Sequence, residues 1–167
     1  MSEQINLLEK NETQAPCDPR SMHRWLATSL TNLAWDLSDE RCPERDDELM
    51  VSAAHAARLH MQLGGALPSA LQGAEHLLSH VCRKAGQMRE AINHAERCLT
   101  VTQQNLDGLR AFDVANAHGC AALVYDGSRD EERAHRHRVA AKEAAARIED
   151  PDLQWHFDRL YGTPQTT

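Results

Sequence analysis

The chain has 167 residues and a formal net charge of −7, with a pI near 5.8. That length predicts one domain large enough to bury a core, and the acidic balance repels phosphate backbones, which argues against a nucleic-acid partner. No stretch approaches the roughly 18 apolar residues of a membrane span, and MSEQINLLEKNETQAP lacks the basic start and apolar run of a signal peptide, so a cytoplasmic protein is expected.

Hydrophobic residues make up 41% of the chain but aromatics only 4%. Alanine fills the difference, which suits closely approaching helices. No segment alternates Val, Ile, Thr and Tyr as a strand does, so the fold class is all-α. The five cysteines, Cys17, Cys42, Cys82, Cys98 and Cys120, form no CxxC pair and read as free thiols.

Residues 1–20 read as a flexible arm, residues 21–160 as one helical domain and residues 161–167 as a tail. Ser21 is placed to cap a first helix whose Met22, Leu26, Leu30, Leu33 and Leu37 fall on one stripe. After SDERCPER, a second helix carries Leu49, Ala53, Ala56, His60 and Leu63, with Met50, Ala54, Ala57 and Met61 beside them, and ends at Gly64 and Gly65. Pro68 opens a third helix with an apolar face of Leu71, Ala74, Leu78, Val81, Cys82 and Ala85, and Gly86 closes it. The fourth helix sets Met88, Ala91, Ile92, Ala95, Leu99 and Thr102 on one side. A fifth, from about Leu109 to Tyr125, is apolar or small nearly all round and is expected to be buried on both sides. The sixth, roughly 129–148, is charged and carries Ala134, Val139, Ala141, Ala145 and Ile148, and a short helix from Pro151 brings Leu153, Phe157 and Leu160 to seal the end.

Helix, glycine turn and helix recur, with Gly127 lying 41 residues after Gly86. The stretch AEHLLSHVCRKAGQMREAINHAERCL, with its GxxxEA and with Ala91 and Cys98 at small-residue positions, resembles a tetratricopeptide repeat. In the 41-residue register Glu132 falls where a small residue belongs, unless the register slips by two. Across residues 22–160 the stretches DDELMVSAAHAARLH, AEHLLSHV and EAINHAERCL make the chain similar to small bacterial tetratricopeptide-like proteins of unassigned function, a resemblance that carries over no catalytic residue. It implies antiparallel helical hairpins stacked as a short superhelix with a C-terminal capping helix.

In such arrays the first helix of each pair lines a concave groove, so the side of the third helix opposite Leu78, with His76, His80, Arg83 and Lys84, is predicted to face it. A row of donors there suits an acidic or carboxylate-bearing peptide segment. The favoured expectation is therefore a non-enzymatic module that binds protein or peptide, without cofactor or metal. Trp25, Trp35 and Trp155 add an expectation of self-association as a homodimer.

The alternative is a small-molecule or metal-dependent enzyme whose pocket between helices two, three and four draws on His55, His60, Glu75 and His94. His76/His80 and His94/Cys98 each have ligand spacing, but helical phase turns the first pair away from the second and argues against joint zinc binding. Glu132 and His135 are the sole match to a di-iron Glu-x-x-His motif, and the basic run from Arg133 to Arg138 reads as a solvated face.

Overall fold

The computed structural model describes residues 18–162. It is all-α: α1 (Pro19–Ser38), α2 (Asp47–Leu63), α3 (Pro68–Lys84), α4 (Met88–Gln104), a 3-10 turn (Leu106–Gly108), α5 (Ala111–Gly127), α6 (Glu131–Ala145) and α7 (Pro151–Tyr161). The helix starts follow local chemistry. Asp18, Asp46, Asp130 and Asp150 each accept from backbone N–H groups of the first turn, and proline opens α1, α3 and α7. Asp18 rather than Ser21 caps α1, so Pro19 begins the helix instead of ending an arm. At the other end Tyr161 is still helical and packed, which extends the folded part by one residue. The predicted arm otherwise lies outside the described residues.

Sequential helices pair as α1/α2, α3/α4 and α5/α6, and α2/α3 and α4/α5 join one pair to the next. Among the first helices of the pairs, α3 also touches both α1 and α5, and α7 lies on α5. Three buried clusters relay along this stack. Leu33, Leu37, Met50, Leu77, Leu78 and Val81 fill the first, and Cys82, Ala91, Ala95, Ala121, Val124, Tyr125 and Ala134 the second. Phe157 of α7 closes the third against Ala115, Ala141, Ala144 and Ala145. Alanine dominates the second and third clusters, where small side chains let the ridges of one helix settle closely between those of another.

α5 is buried on both sides, as its sequence predicts. α6 shows the expected charged exterior, although Val139 points to solvent at 42% exposure. α3 departs from expectation. Gln72 and every residue from Ala74 to Cys82 are buried, so over that stretch it has no solvent side. Its central place in the stack is the reason, with α2 and α4 on one side and α1, α5 and the tip of α7 on the other.

The turns of the α3/α4 and α5/α6 hairpins share one hydrogen-bond pattern. Gly86 N–H donates to Arg83 and Gln87 N–H to Cys82, while Arg129 donates to Asp126 and Asp130 to Tyr125. Gly86 has φ +74° and Arg129 φ +64°. The counterpart of Gly86 is thus Arg129, 43 residues on, and not Gly127. In that register Ala91 and Cys98 match the buried Ala134 and Ala141, which removes the misfit at Glu132.

Candidate functional site

α1, α3, α5 and α7 enclose a groove of about 1500 Å³. Trp35, Leu77, Phe112 and Leu160 give it apolar walls, and Arg41, Lys84, Arg110 and Arg159 stand on its rim with Asp36, Asp39, Glu40 and Asp113. The rim cations are already engaged: Arg41 and Arg159 with Asp39, Lys84 with Glu40 and Arg110 with Asp113.

His76 and His80 line this groove but do not look outward as the sequence suggests, because each is only 6% exposed. Trp35 lies over both rings, with centroids 5.8 Å from His76 and 4.9 Å from His80. Tyr161 comes from α7 to hydrogen-bond His76 Nε2 through its hydroxyl. Burial pushes His76 down to about 4 despite the charge of Asp113. Burial pushes His80 down to about 3, with the charges of His76, Arg83 and Lys84 adding to the effect. Both are neutral at neutral pH and are not cationic grips. Lys84 is held at the rim by Glu40. Arg83, the fourth residue expected there, does not line the groove; it has no carboxylate partner among the described residues, and its charge is felt by His80, Cys120 and Tyr161.

Two polar atoms of the lining lack a protein partner. Thr31 Oγ1 on α1 and Asn116 Oδ1 on α5 are buried and form no hydrogen bond within the described residues. Such atoms are uncommon, since each gives up hydration for nothing in return. Neither was singled out by sequence reasoning, which looks for charge and ligand spacing and has no sign for an amide left over after helices pack.

The opposite side of α3 holds a second constellation. Glu75 is 3% exposed and sits between Arg58 of α2 and His94 of α4, whose Nδ1 lies 2.7 Å from Glu75 Oε2. Burial raises the Glu75 carboxyl, but the hydrogen bonds from His94 and Arg58 and the Arg58 charge outweigh it and leave it below the ordinary carboxylate value. The His55 ring meets His94 edge-on at 5.5 Å, and burial, followed by the charges of His94 and Arg58, holds His55 below the usual imidazole value. Cys82 completes the group: ligand atoms of His55, Cys82 and His94 lie within 4.8 Å of one another. Three of the four residues of the expected pocket are therefore brought together. His60 is not among them, since it pairs with His23 of α1, Nδ1 to Nδ1 at 2.8 Å. Cys82 was missed because it reads as one more small residue of an apolar face.

His76 and His80 face Trp35 while His94 and Cys98 face the α3 backbone and Glu75, so no joint site forms between these pairs. Glu132 and His135 are exposed on α6. Of the three tryptophans only Trp155 is exposed, at 57%, so the aromatic surface on which self-association was expected is smaller than the count implies.

Comparison with family models, curated proteins and solved structures finds no match for this chain.

Proposed function

We propose that the protein is a non-enzymatic interaction module of tetratricopeptide-like build whose groove binds an extended protein or peptide segment bearing a carboxylate. The observation that carries this reading is Asn116, 6% exposed in the groove lining with Oδ1 free of any donor among the described residues. A peptide N–H is the donor that fits it, and Thr31 on the facing helix offers a second polar anchor for a chain crossing from α5 to α1. Trp35, Phe112 and Leu160 supply apolar contact for side chains. Lys84 is the groove-lining cation best placed to meet a carboxylate, because its own partner Glu40 is 76% exposed and can give way to a bound acid. His76 and His80 shape the floor rather than supply charge.

Anisotropy of a labelled acidic peptide with a free C-terminal carboxylate tests the reading. Lys84→Glu and Asn116→Ala are each expected to weaken binding at least tenfold, and amidation of the peptide terminus to weaken it in the native protein but not further in Lys84→Glu. Equal affinity across these variants would remove the groove as the site. A second reading, a metal-dependent His/Glu pocket between α2, α3 and α4, is favoured by the buried Glu75–His94 pair with His55 beside it.

A further inference from the structure

The group on the far side of α3 is built from three helices. His55 comes from α2, Glu75 and Cys82 from one face of α3 at a spacing of seven residues, and His94 from α4. Each position has an ordinary explanation by itself: a surface histidine, a core thiol, a histidine satisfied by a carboxylate. Together they make a pattern those explanations do not require.

His94 presents Nδ1 to Glu75 Oε2 at 2.7 Å, which leaves Nε2 with its lone pair on the other side of the ring. A carboxylate behind one imidazole nitrogen is the arrangement that fixes the tautomer and raises the basicity of the nitrogen offered to a metal. Cys82 is fully buried. Among the four described cysteines it alone forms no hydrogen bond, since Cys42, Cys98 and Cys120 each find an acceptor. Its sulfur and the two imidazoles lie within 4.8 Å of one another. A tetrahedral ion bonded at about 2.3 Å to sulfur and about 2.0–2.1 Å to nitrogen holds such atoms about 3.3–3.7 Å apart, a distance reached by side-chain rotation of about an ångström.

We propose that His55, Cys82 and His94 bind a late divalent transition metal, zinc foremost, with Glu75 orienting His94 from behind. One thiolate and two imidazoles are the donor set of a borderline-soft ion and a poor set for magnesium or calcium. Three protein ligands leave the fourth position open, and it opens beside the exposed His55, where water or a small ligand can reach it. The charges are compatible: Glu90 faces both His55 and Cys82 from the first turn of α4, and with Glu75 and a Cys82 thiolate it offsets Arg58 and a divalent ion. Because this group faces α2 and α4, away from the groove, it stands or falls independently of peptide binding.

Titration of the chelator-treated full-length protein with Co²⁺, followed by absorption, reads the site directly. Saturable one-to-one uptake is expected, with a thiolate-to-cobalt charge-transfer band and intense tetrahedral d–d bands, both abolished by one equivalent of Zn²⁺. Cys82→Ser should remove the charge-transfer band. His55→Ala changes an exposed side chain, leaves the fold unaffected by circular dichroism, and should weaken uptake at least a hundredfold. Glu75→Gln should weaken it about 10–100-fold while keeping the band in place. Absence of saturable uptake overturns the proposal. So does uptake that survives both Cys82→Ser and His55→Ala, which would put the metal on another thiol, on the His23/His60 pair or on His118 and His137, whose Nδ1 atoms lie 2.9 Å apart.

Discussion

The Tyr161 ring lies directly on Gly119, where an added Cβ would come within 2.7 Å of Cγ and 2.8 Å of Cδ2. The glycine is the seat that lets α7 reach past α5 and place its hydroxyl on His76. Gly119→Ala must therefore lift the last turn of α7 and break that hydrogen bond. Overpacking of this kind costs about 1–3 kcal/mol, offset in part by alanine's better helix propensity. Tyr161→Phe keeps the ring and removes only the hydroxyl, leaving a buried imidazole nitrogen unpaired, with an expected loss of about 1–2 kcal/mol. Chemical denaturation reads both losses, and limited proteolysis distinguishes the variants: greater sensitivity of the C-terminal turn is expected for Gly119→Ala and not for Tyr161→Phe. Native stability in Gly119→Ala would mean that the ring does not sit there.

The buried His76 makes stability acid-sensitive in a definite direction. Its folded value of about 4 lies below the ordinary 6.5, so the unfolded chain takes up the proton first. The stabilisation is complete above pH 6.5 and is lost as pH falls through the interval down to about 4, amounting to about 3 kcal/mol for this group. His118 and His137, both held below the usual value chiefly by burial, act in the same sense. Urea unfolding at a series of pH values is expected to show a steeper acid loss in the native protein than in His76→Gln. Within the interval the difference in slope should be about 1.4 kcal/mol per pH unit. Parallel curves would show that His76 does not titrate below its ordinary value.

Helix order and turn positions were legible because alanine-rich stripes broken by Gly, Pro and Asp report local chemistry, and local chemistry decides where a helix starts and stops. The α3 surface was legible only in part. Phase assigned His76 and His80 correctly to the side away from α4, yet could not foresee that Trp35 and Tyr161 would cover them, because Tyr161 is 85 residues from His76 in the chain. Likewise His55, Glu75 and His94 stood out as polar residues on apolar helices, whereas Cys82 was hidden by its own size. His60 lies elsewhere for the converse reason: its partner His23 is on α1, off the apolar stripe that marks that helix in the sequence.

The register of the last hairpin makes a prediction about Arg129. It holds φ +64°, the conformation that Gly86 holds in the preceding hairpin at φ +74°. A side chain in this region costs about 1–2 kcal/mol that glycine escapes, although glycine loses more freedom on folding. Arg129→Gly is therefore expected to stabilise the protein by about 0.5–1 kcal/mol, read as a higher urea midpoint at unchanged slope. The reciprocal Gly86→Ala should destabilise by a similar amount, since its Cβ meets nothing within 4 Å and only the backbone conformation is at issue. A loss of stability in Arg129→Gly would contradict the equivalence of the two turns.

Glu75 is the acid on which the middle of the stack depends. Its two oxygens divide between Arg58 and His94, joining α2, α3 and α4 through one carboxylate with 4% side-chain exposure. Removing it leaves Arg58 facing a buried void and His94 without an acceptor, so Glu75→Ala is expected to cost about 3–5 kcal/mol. Glu75→Leu should recover little of this, because filling the volume does not satisfy the two donors. The triple change Glu75→Leu, Arg58→Leu and His94→Leu is expected to regain most of the stability, as apolar replacement of a complete buried polar group often does. A thermodynamic cycle across these variants measures the coupling. If the single and triple changes lie equally far below the native protein, the coupling is absent and Glu75 contributes through packing alone.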